Sequence, residues 1–389
     1  MNCKDKISPI VTKMKPSGIR KFFDIVSEMK DAISLGIGEP DFVTPWHIRD
    51  AGIVSLERGQ TYYTSNAGLK ELRQEICHYM KRRFNLDYTI DNALISVGGS
   101  EAIDLCIRAL ISEGDEVLIP EPSFVCYTPC TQLAKGTPVP IVTEAEDHFI
   151  LTPEKLRKAI TPRTKLLILP YPNNPTGAIM RHAELEAIAD VIKETEIIVL
   201  SDEIYGELTY DTRHESIACI PGMKERTVVV NGFSKTYAMT GWRLGFAVGN
   251  EDIIKAMTKI HQFAIMSAPT TSQYAAIEAL KNGDSDIEEM AAQYNFRRRV
   301  LIDRLNEMGL ECFEAKGAFY VFPSIKSTGL SSEEFCERLL ISKKVAVVPG
   351  NAFGASGEGH VRISYAYSID TINKALDRIE EFLKELKRG

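Results

Sequence analysis

Four short apolar runs, each stopping at residues of distinct chemistry, constrain this chain more than any other feature. Residues 115–120, 165–169, 196–201 and 227–230 are rich in Val, Ile and Leu and too short for buried helices. Such runs are the signature of strands covered on both faces. Helical patterns separate them, so the alternation predicts an α/β fold with a mostly parallel sheet flanked by helices. Open sheets of this kind bind ligands beyond the carboxyl ends of their strands. Here the runs end near Phe124, at Pro170 to Gly177, at Asp202 to Tyr205 and at Asn231 to Arg243. Four endings of this kind in one chain point to a single site.

A fifth run, residues 93–97, leads into Gly98-Gly99-Ser100-Glu101 and then a helix with Ala102, Ile103, Cys106, Ile107 and Leu110 on its apolar face. Strand, double glycine and helix start can present free N–H groups to a phosphate, or can make a plain tight turn. The pattern is neither G-x-G-x-x-G nor a Walker loop. Upstream, residues 1–32 predict a helix with Phe22, Phe23, Ile25, Val26 and Met29 in a stripe. Residues 33–42 predict a strand breaking into a turn, where Gly38 offers a backbone N–H to an anion or simply makes the bend. Helices are expected over 45–58 and 68–84. Their connector, residues 59–68, carries Tyr62 and Tyr63 and suits a loop reaching into a partner or a pocket.

At 389 residues the chain exceeds one ordinary core. Its character changes near residue 285. A charge-rich helix over 287–308 precedes strands at 317–322, 345–350 and 360–365. The last segment is an amphipathic helix with Ile372, Ala375, Leu376, Ile379, Phe382, Leu383 and Leu386 on one face. We expect a large domain over 46–284 and a smaller α+β domain from 285–389 with the N-terminal segment 1–45. Arg362 lies inside an otherwise apolar strand and needs an anion if buried. A structural carboxylate and a substrate carboxylate both answer that need.

Composition removes several function classes. The net charge of −7 comes from scattered acids, which argues against a nucleic-acid partner. No apolar run approaches the roughly 20 residues of a membrane span. The first residues are polar, without a secretory core, so a cytoplasmic protein with no membrane partner is expected. The eight cysteines include no C-x-x-C pair and no histidine-rich companion, so no metal site is expected and buried free thiols are the reading.

Residues 231–243 concentrate the chemistry. Lys235 sits between small and aromatic residues at a strand end, where burial disfavours its charged form and frees a lone pair for attack on a carbonyl carbon. Arg243 presents a fork of donors suited to phosphate. Read alone, both could be surface cations at a helix start.

Taken together, Gly36-Ile37-Gly38-Glu39-Pro40-Asp41-Phe42, Asn173-Asn174-Pro175-Thr176-Gly177, Ser201-Asp202-Glu203-Ile204-Tyr205 and Ser234-Lys235 with Arg243 resemble the class I/II pyridoxal-phosphate aminotransferases of fold type I. The likeness runs nearly end to end and is strongest to the branch of bacterial-type aspartate and aromatic aminotransferases. It implies pyridoxal 5′-phosphate bound as a Schiff base on Lys235, which would also shuttle the substrate proton. Asp202 would face the pyridine nitrogen, and Asn174 and Tyr205 the ring hydroxyl, with a cis Asn174–Pro175 bond. The phosphate would be held at Gly99, Ser100 and Glu101, by Ser234 and Arg243, and by Tyr63 from the second subunit of a homodimer. Phe124 would stack on the ring. Arg362, helped by the Gly38 N–H and Asn174, would grip the substrate α-carboxylate.

Two departures from the family pattern matter. Many relatives carry a serine three residues before the lysine, where this chain has Gly232, and Ser234 is the candidate replacement. Aspartate-specific relatives carry a lysine at the position of Ser100, so no cation awaits a second carboxylate there. Residues 17–23 also look like the aromatic-type members. The resemblance therefore implies transfer from an aromatic or broad range of L-amino acids to 2-oxoglutarate. Aspartate-type and N-acetyl-diaminopimelate-type transfer stay open. A carbon–sulfur β-lyase and a non-enzymatic cofactor-binding regulator are the rival classes.

Overall fold

The computed structural model describes residues 3–14, 29 and 31–387. Its strands are β1 (Ile33–Ser34), β2 (Ala93–Ser96), β3 (Glu116–Glu121), β4 (Thr137–Val142), β5 (Thr164–Leu169), β6 (Ile198–Asp202), β7 (Thr227–Gly232) and β8 (Gly245–Val248), followed by β9 (Tyr320–Val321), β10 (Val345–Ala346), β11 (Val348–Pro349) and β12 (Val361–Ser364). Seven of them form the central sheet in the order β2-β8-β7-β6-β5-β3-β4, in which β8 alone runs against the rest. This is the mixed α/β fold with a mostly parallel sheet that the alternation predicts.

The pleat divides the side chains of each run between two cores. Leu166, Ile168, Leu200, Val228 and Val230 point to the helices Gly99–Leu110 and Glu251–Ala264. Leu167, Leu169 and Val199 point the other way, toward the helix His182–Lys193, and Val229 toward Lys70–Phe84 and Thr270–Asn282. Burying each such side chain contributes about 1.5–3 kcal/mol. The strand ends are thereby held rigidly in a row along one edge of the sheet.

Two strands of this sheet escape the sequence pattern. β4 contains Pro138 and Pro140, which read as strand breakers, but β4 is an edge strand with β3 as its one neighbour and can spare those ladder N–H groups. β8 is four residues long and begins with glycine. The expected strand at 196–201 begins two residues later and extends to Asp202.

Beyond residue 284, the helices Asp284–Glu307, Ser332–Lys343 and Ile369–Leu386 pack on β9 and β12 to form a separate apolar cluster, which includes Leu301, Phe319, Ile363 and Phe382. β12 lies between β11 and β9, and β1 pairs in parallel with β10. The strand expected over 317–322 shortens to Tyr320–Val321, because Gly317 bridges to Thr209 and Ala318 takes a positive φ of 57°. The run at 345–350 is interrupted at Val347, giving β10 and β11. At the N-terminus the described helical pieces are Cys3–Lys6 and Pro9–Lys13. The stripe Phe22, Phe23, Ile25 and Val26 lies outside the described residues, as does the aromatic-type segment 17–23.

Candidate active site

A cavity of about 900 Å³ opens where the carboxyl ends of β2, β3, β5, β6 and β7 meet the loop after β1 and strands β9 and β12. Its walls include Gly38, Gly99, Ser100, Phe124, Asn174, Asp202, Tyr205, Ser234, Lys235, Arg243 and Arg362. All four endings of the apolar runs therefore reach one space. Tyr63 does not line it and is 82% exposed, and Glu101 lies behind the wall.

Lys235 belongs to a four-residue helix, Phe233–Thr236, that starts where β7 ends. Gly232, at that junction, sits so close to β8 that an added Cβ would lie 3.1 Å from Gly245 Cα and 3.0 Å from Ile204 Cδ1. The close approach accounts for glycine at this position. Lys235 Nζ donates to the Gly38 carbonyl at 2.5 Å. Burial lowers its pKa to about 8; the Glu39 carboxylate opposes the shift, while Arg362 and Arg243 add to it.

Asp202 closes β6, and the next residue anchors the turn. Glu203 is fully buried and accepts from the hydroxyls of Ser201 at 2.7 Å and Ser216 at 2.6 Å. Asp202 itself accepts from the Tyr127 hydroxyl at 2.6 Å and the Ile204 N–H at 3.2 Å. Burial raises its pKa to about 6, and these two hydrogen bonds pull the other way. Tyr127 was not legible as a site residue, since one tyrosine in a mixed stretch carries no signal of where its hydroxyl points. Its position three residues after Phe124 is the only hint.

Arg362 lies on β12 between Val361 and Ile363, which the strand alternation turns into the apolar core. The guanidinium is buried, with Nη1 donating to Asn174 Oδ1 at 2.9 Å and Nη2 to the Gly36 carbonyl at 2.5 Å. It stacks over the Tyr320 ring at 4.4 Å and the Phe353 ring at 4.8 Å. Its Nε is buried without a hydrogen-bond partner among the described residues. Among the described residues its acceptors are thus an amide oxygen and a backbone carbonyl, not a structural carboxylate. Tyr320, a second group missed in the sequence, shares a hydrogen bond with Tyr205 at 2.9 Å between the two hydroxyls. The Asn174–Pro175 bond is cis, as expected.

Arg243 approaches the turn after β2. An added Cβ on Gly98, whose φ is +82°, would lie 2.8 Å from Arg243 Nη2, so the guanidinium reaches the backbone only because no side chain intervenes. Arg243 Nη1 donates to the Thr240 carbonyl at 3.0 Å. The first N–H groups of the Gly99–Leu110 helix have no intrahelical partner and carry the positive end of its dipole. A side-chain-free turn, a helix start, the Ser234 hydroxyl and a guanidinium form a cradle for a dianion. The cavity as a whole combines an amine of lowered basicity, a buried carboxyl group and two arginines with donors to spare.

Comparison with known proteins follows the same lines. The sequence matches the family described as Aminotransferase class I and II over residues 30–379. A putative aminotransferase, YugH, of Bacillus subtilis strain 168 is 54% identical, with 97% of this chain and 98% of that protein covered. An aspartate aminotransferase of Pyrococcus abyssi is 48% identical, with 96% and 97% covered. Among solved structures, an aromatic aminotransferase from Pyrococcus horikoshii superposes with a TM-score of 0.90 at 45% identity, covering 95% of this chain and 99% of that one.

Proposed function

The chain belongs to the class I and II aminotransferases, whose members use pyridoxal 5′-phosphate, and on that premise we propose that it transfers the amino group of a neutral L-amino acid, aromatic or broad-range, to 2-oxoglutarate. The observation that carries this substrate reading is the inventory of cations in the cavity wall. Among the described residues these are Lys235, Arg243 and Arg362. Each already has a task in aminotransfer, at the cofactor aldehyde, the phosphate and the substrate α-carboxylate. None is left for a carboxylate on the substrate side chain, which would be costly to bury unpaired. Ile37, Ile103, Pro170 and Pro172 supply apolar wall instead.

The residues present suit the cofactor. Lys235 would hold it as a Schiff base, Asp202 would face the ring nitrogen, and Asn174 and Tyr205 would meet the ring hydroxyl. Phe124 would stack on the ring, and the cradle of Gly99, Ser100, Ser234 and Arg243 would take the phosphate. When bound, pyridoxal 5′-phosphate supplies an aldehyde that condenses with amines and a ring that accepts the electrons left when Cα loses a proton. Lys235 Nζ, titrating near 8, is the group poised to take that proton from Cα. Arg362, already aligned by Asn174 and the Gly36 carbonyl, offers a donor to the α-carboxylate, and the N–H of Gly38, which lines the same cavity, would add a second. Phe124, Ile103 and the two prolines make this part of the wall apolar.

The same reading extends to assembly. Tyr62, Tyr63, Trp46 and Phe263 are strongly exposed, which supports a homodimer in which Tyr63 reaches the phosphate of the second subunit. A cation for the second carboxylate of 2-oxoglutarate would then come from that subunit; it would admit a dicarboxylic donor beside the neutral ones, so the wall of this chain favours neutral donors and leaves the range broad. The apolar cluster built mainly from residues beyond 284, which also takes in Leu35 and, from the larger part, Tyr205, Leu208, Tyr210 and Ala238, supports dividing the chain into 46–284 and 1–45 with 285–389. A screen of the twenty amino acids against 2-oxoglutarate, following oxo-acid formation, tests the substrate assignment. Phenylalanine and tyrosine should lead, and a preference for aspartate would overturn it.

A further inference from the structure

The turn that we read as the phosphate cradle is fastened from behind by two side chains outside the cavity, the fully buried His261 and the partly buried Glu101. Glu101, in the first turn of the Gly99–Leu110 helix, folds its carboxylate back. One oxygen accepts the Val97 N–H at 2.5 Å and the other meets His261 Nδ1 at 2.8 Å. An ionised carboxylate offers acceptors only, so the imidazole proton lies on Nδ1. His261 comes from the Glu251–Ala264 helix, is fully buried, and has no partner for Nε2 among the described residues.

The cradle itself has little to hold it. Gly98 and Gly99 bring no side chains, and the backbone packs so closely against β8 that a Cβ on Gly245 would lie 2.6 Å from Gly98 C and Gly99 N. Its position therefore depends on what fixes its two ends. On the strand side, β2 pairs with β8 through Ser96 and Gly245. On the helix side, Glu101 ties the strand end at Val97 to the helix start, and His261 ties both to a second helix. A shift of a few tenths of an ångström here would misdirect every backbone N–H aimed at the phosphate.

We propose that Glu101 and His261 are positioning residues for the cofactor phosphate, acting through the backbone of the cradle without touching the cofactor. The proposal rests on the reading of residues 98–100 as the phosphate cradle. It separates from the rest of the site because the pair serves the phosphate alone and leaves the ring and the amine of Lys235 untouched.

The test uses the apoprotein and two probes, pyridoxal 5′-phosphate and pyridoxal, which lacks the phosphate, with equilibrium dissociation constants read from visible absorbance. In Glu101→Leu and His261→Leu the preference for the phosphorylated probe should fall by about 10-fold or more, the usual effect of removing one partner of a charge-assisted hydrogen bond. Affinity for pyridoxal should stay within about twofold of the parent. His261→Asn, which keeps an N–H donor near the Nδ1 position, should restore most of the preference. An unchanged preference in both variants overturns the proposal, and so does an equal loss for both probes, which would mark general loosening. If His261→Leu does not fold, Glu101→Leu, at a side chain that keeps some exposure, decides the matter alone. A parent protein that shows no preference for the phosphorylated probe would instead overturn the cradle reading itself.

Discussion

Replacing Tyr127 with phenylalanine deletes one hydroxyl and leaves the walls of the cavity in place. That hydroxyl donates to Asp202 at 2.6 Å, in a setting where burial has already raised the carboxyl pKa to about 6. A hydrogen bond to an ionised acceptor stabilises by about 1.5–3 kcal/mol, and one pKa unit corresponds to about 1.4 kcal/mol. Losing it should therefore lift Asp202 by a further 1–2 units or so. The direction of the linkage follows from the sign of the shift. The native carboxyl holds its proton between its ordinary value of 3.8 and about 6, where the unfolded chain has lost it. Stability of the apoprotein thus falls as pH rises through that window, by about 3 kcal/mol in total, and Tyr127→Phe widens the window upward. Only the ionised carboxylate favours a protonated ring nitrogen, so cofactor affinity should have an acid limb with its midpoint near this pKa. Reconstitution of apoprotein with pyridoxal 5′-phosphate, followed by absorbance across the pH range, measures it. The limb should move alkaline by about 1–2 units in Tyr127→Phe, with affinities converging at high pH. Coincident limbs would refute the claim that this hydroxyl sets the state of Asp202.

Four further outcomes are expected. Arg362→Lys keeps the charge but loses the fork that Asn174 and the Gly36 carbonyl align, so KM for the amino donor should rise about 10- to 100-fold, with cofactor affinity unchanged; steady-state kinetics with an unchanged KM would contradict it. Lys235→Ala should lose transamination altogether, and borohydride should fix the cofactor on Lys235 in the parent, so peptide mapping to another lysine would end the mechanism. In the apoprotein, reaction of Lys235 with an amine-directed reagent should rise as pH passes about 8, because burial lets the amine lose its proton there. Gly38→Ala would place a Cβ 2.4 Å from the Tyr320 hydroxyl; activity should drop sharply and return in part when Tyr320→Phe is added, and a fully active single variant would show that the loop yields freely.

Much of the site was legible because buried parallel strands must be continuously apolar, so the polar residues that follow each run mark a strand end. Asp202, Asn174 and Lys235 declare themselves in this way, and the likeness to a known family gives them roles. Tyr127 and Tyr320 do not, since a tyrosine fits an apolar core and a polar site equally well, and only packing decides where its hydroxyl goes. Glu101 was legible as part of a helix start, yet its carboxylate turns away from the cavity toward Val97 and His261, a partner 160 positions along the chain. Pro138 and Pro140 concealed β4, because tolerance of proline depends on having a free edge, which a linear pattern does not reveal.

Sequence by itself therefore determined the alternating architecture, the ends at which chemistry collects, and the kinds of group gathered there. Those follow from local rules: the pleat period, the length of an apolar run, and the backbone freedom of glycine. Tertiary structure alone decided the protonation of those groups and their partners. It brought Arg362 from β12 against Asn174, set Tyr127 on Asp202, and packed Lys235 tightly enough to lower its pKa. Desolvation and hydrogen-bond geometry depend on every atom within a few ångströms, and in this fold those atoms come from segments hundreds of residues apart.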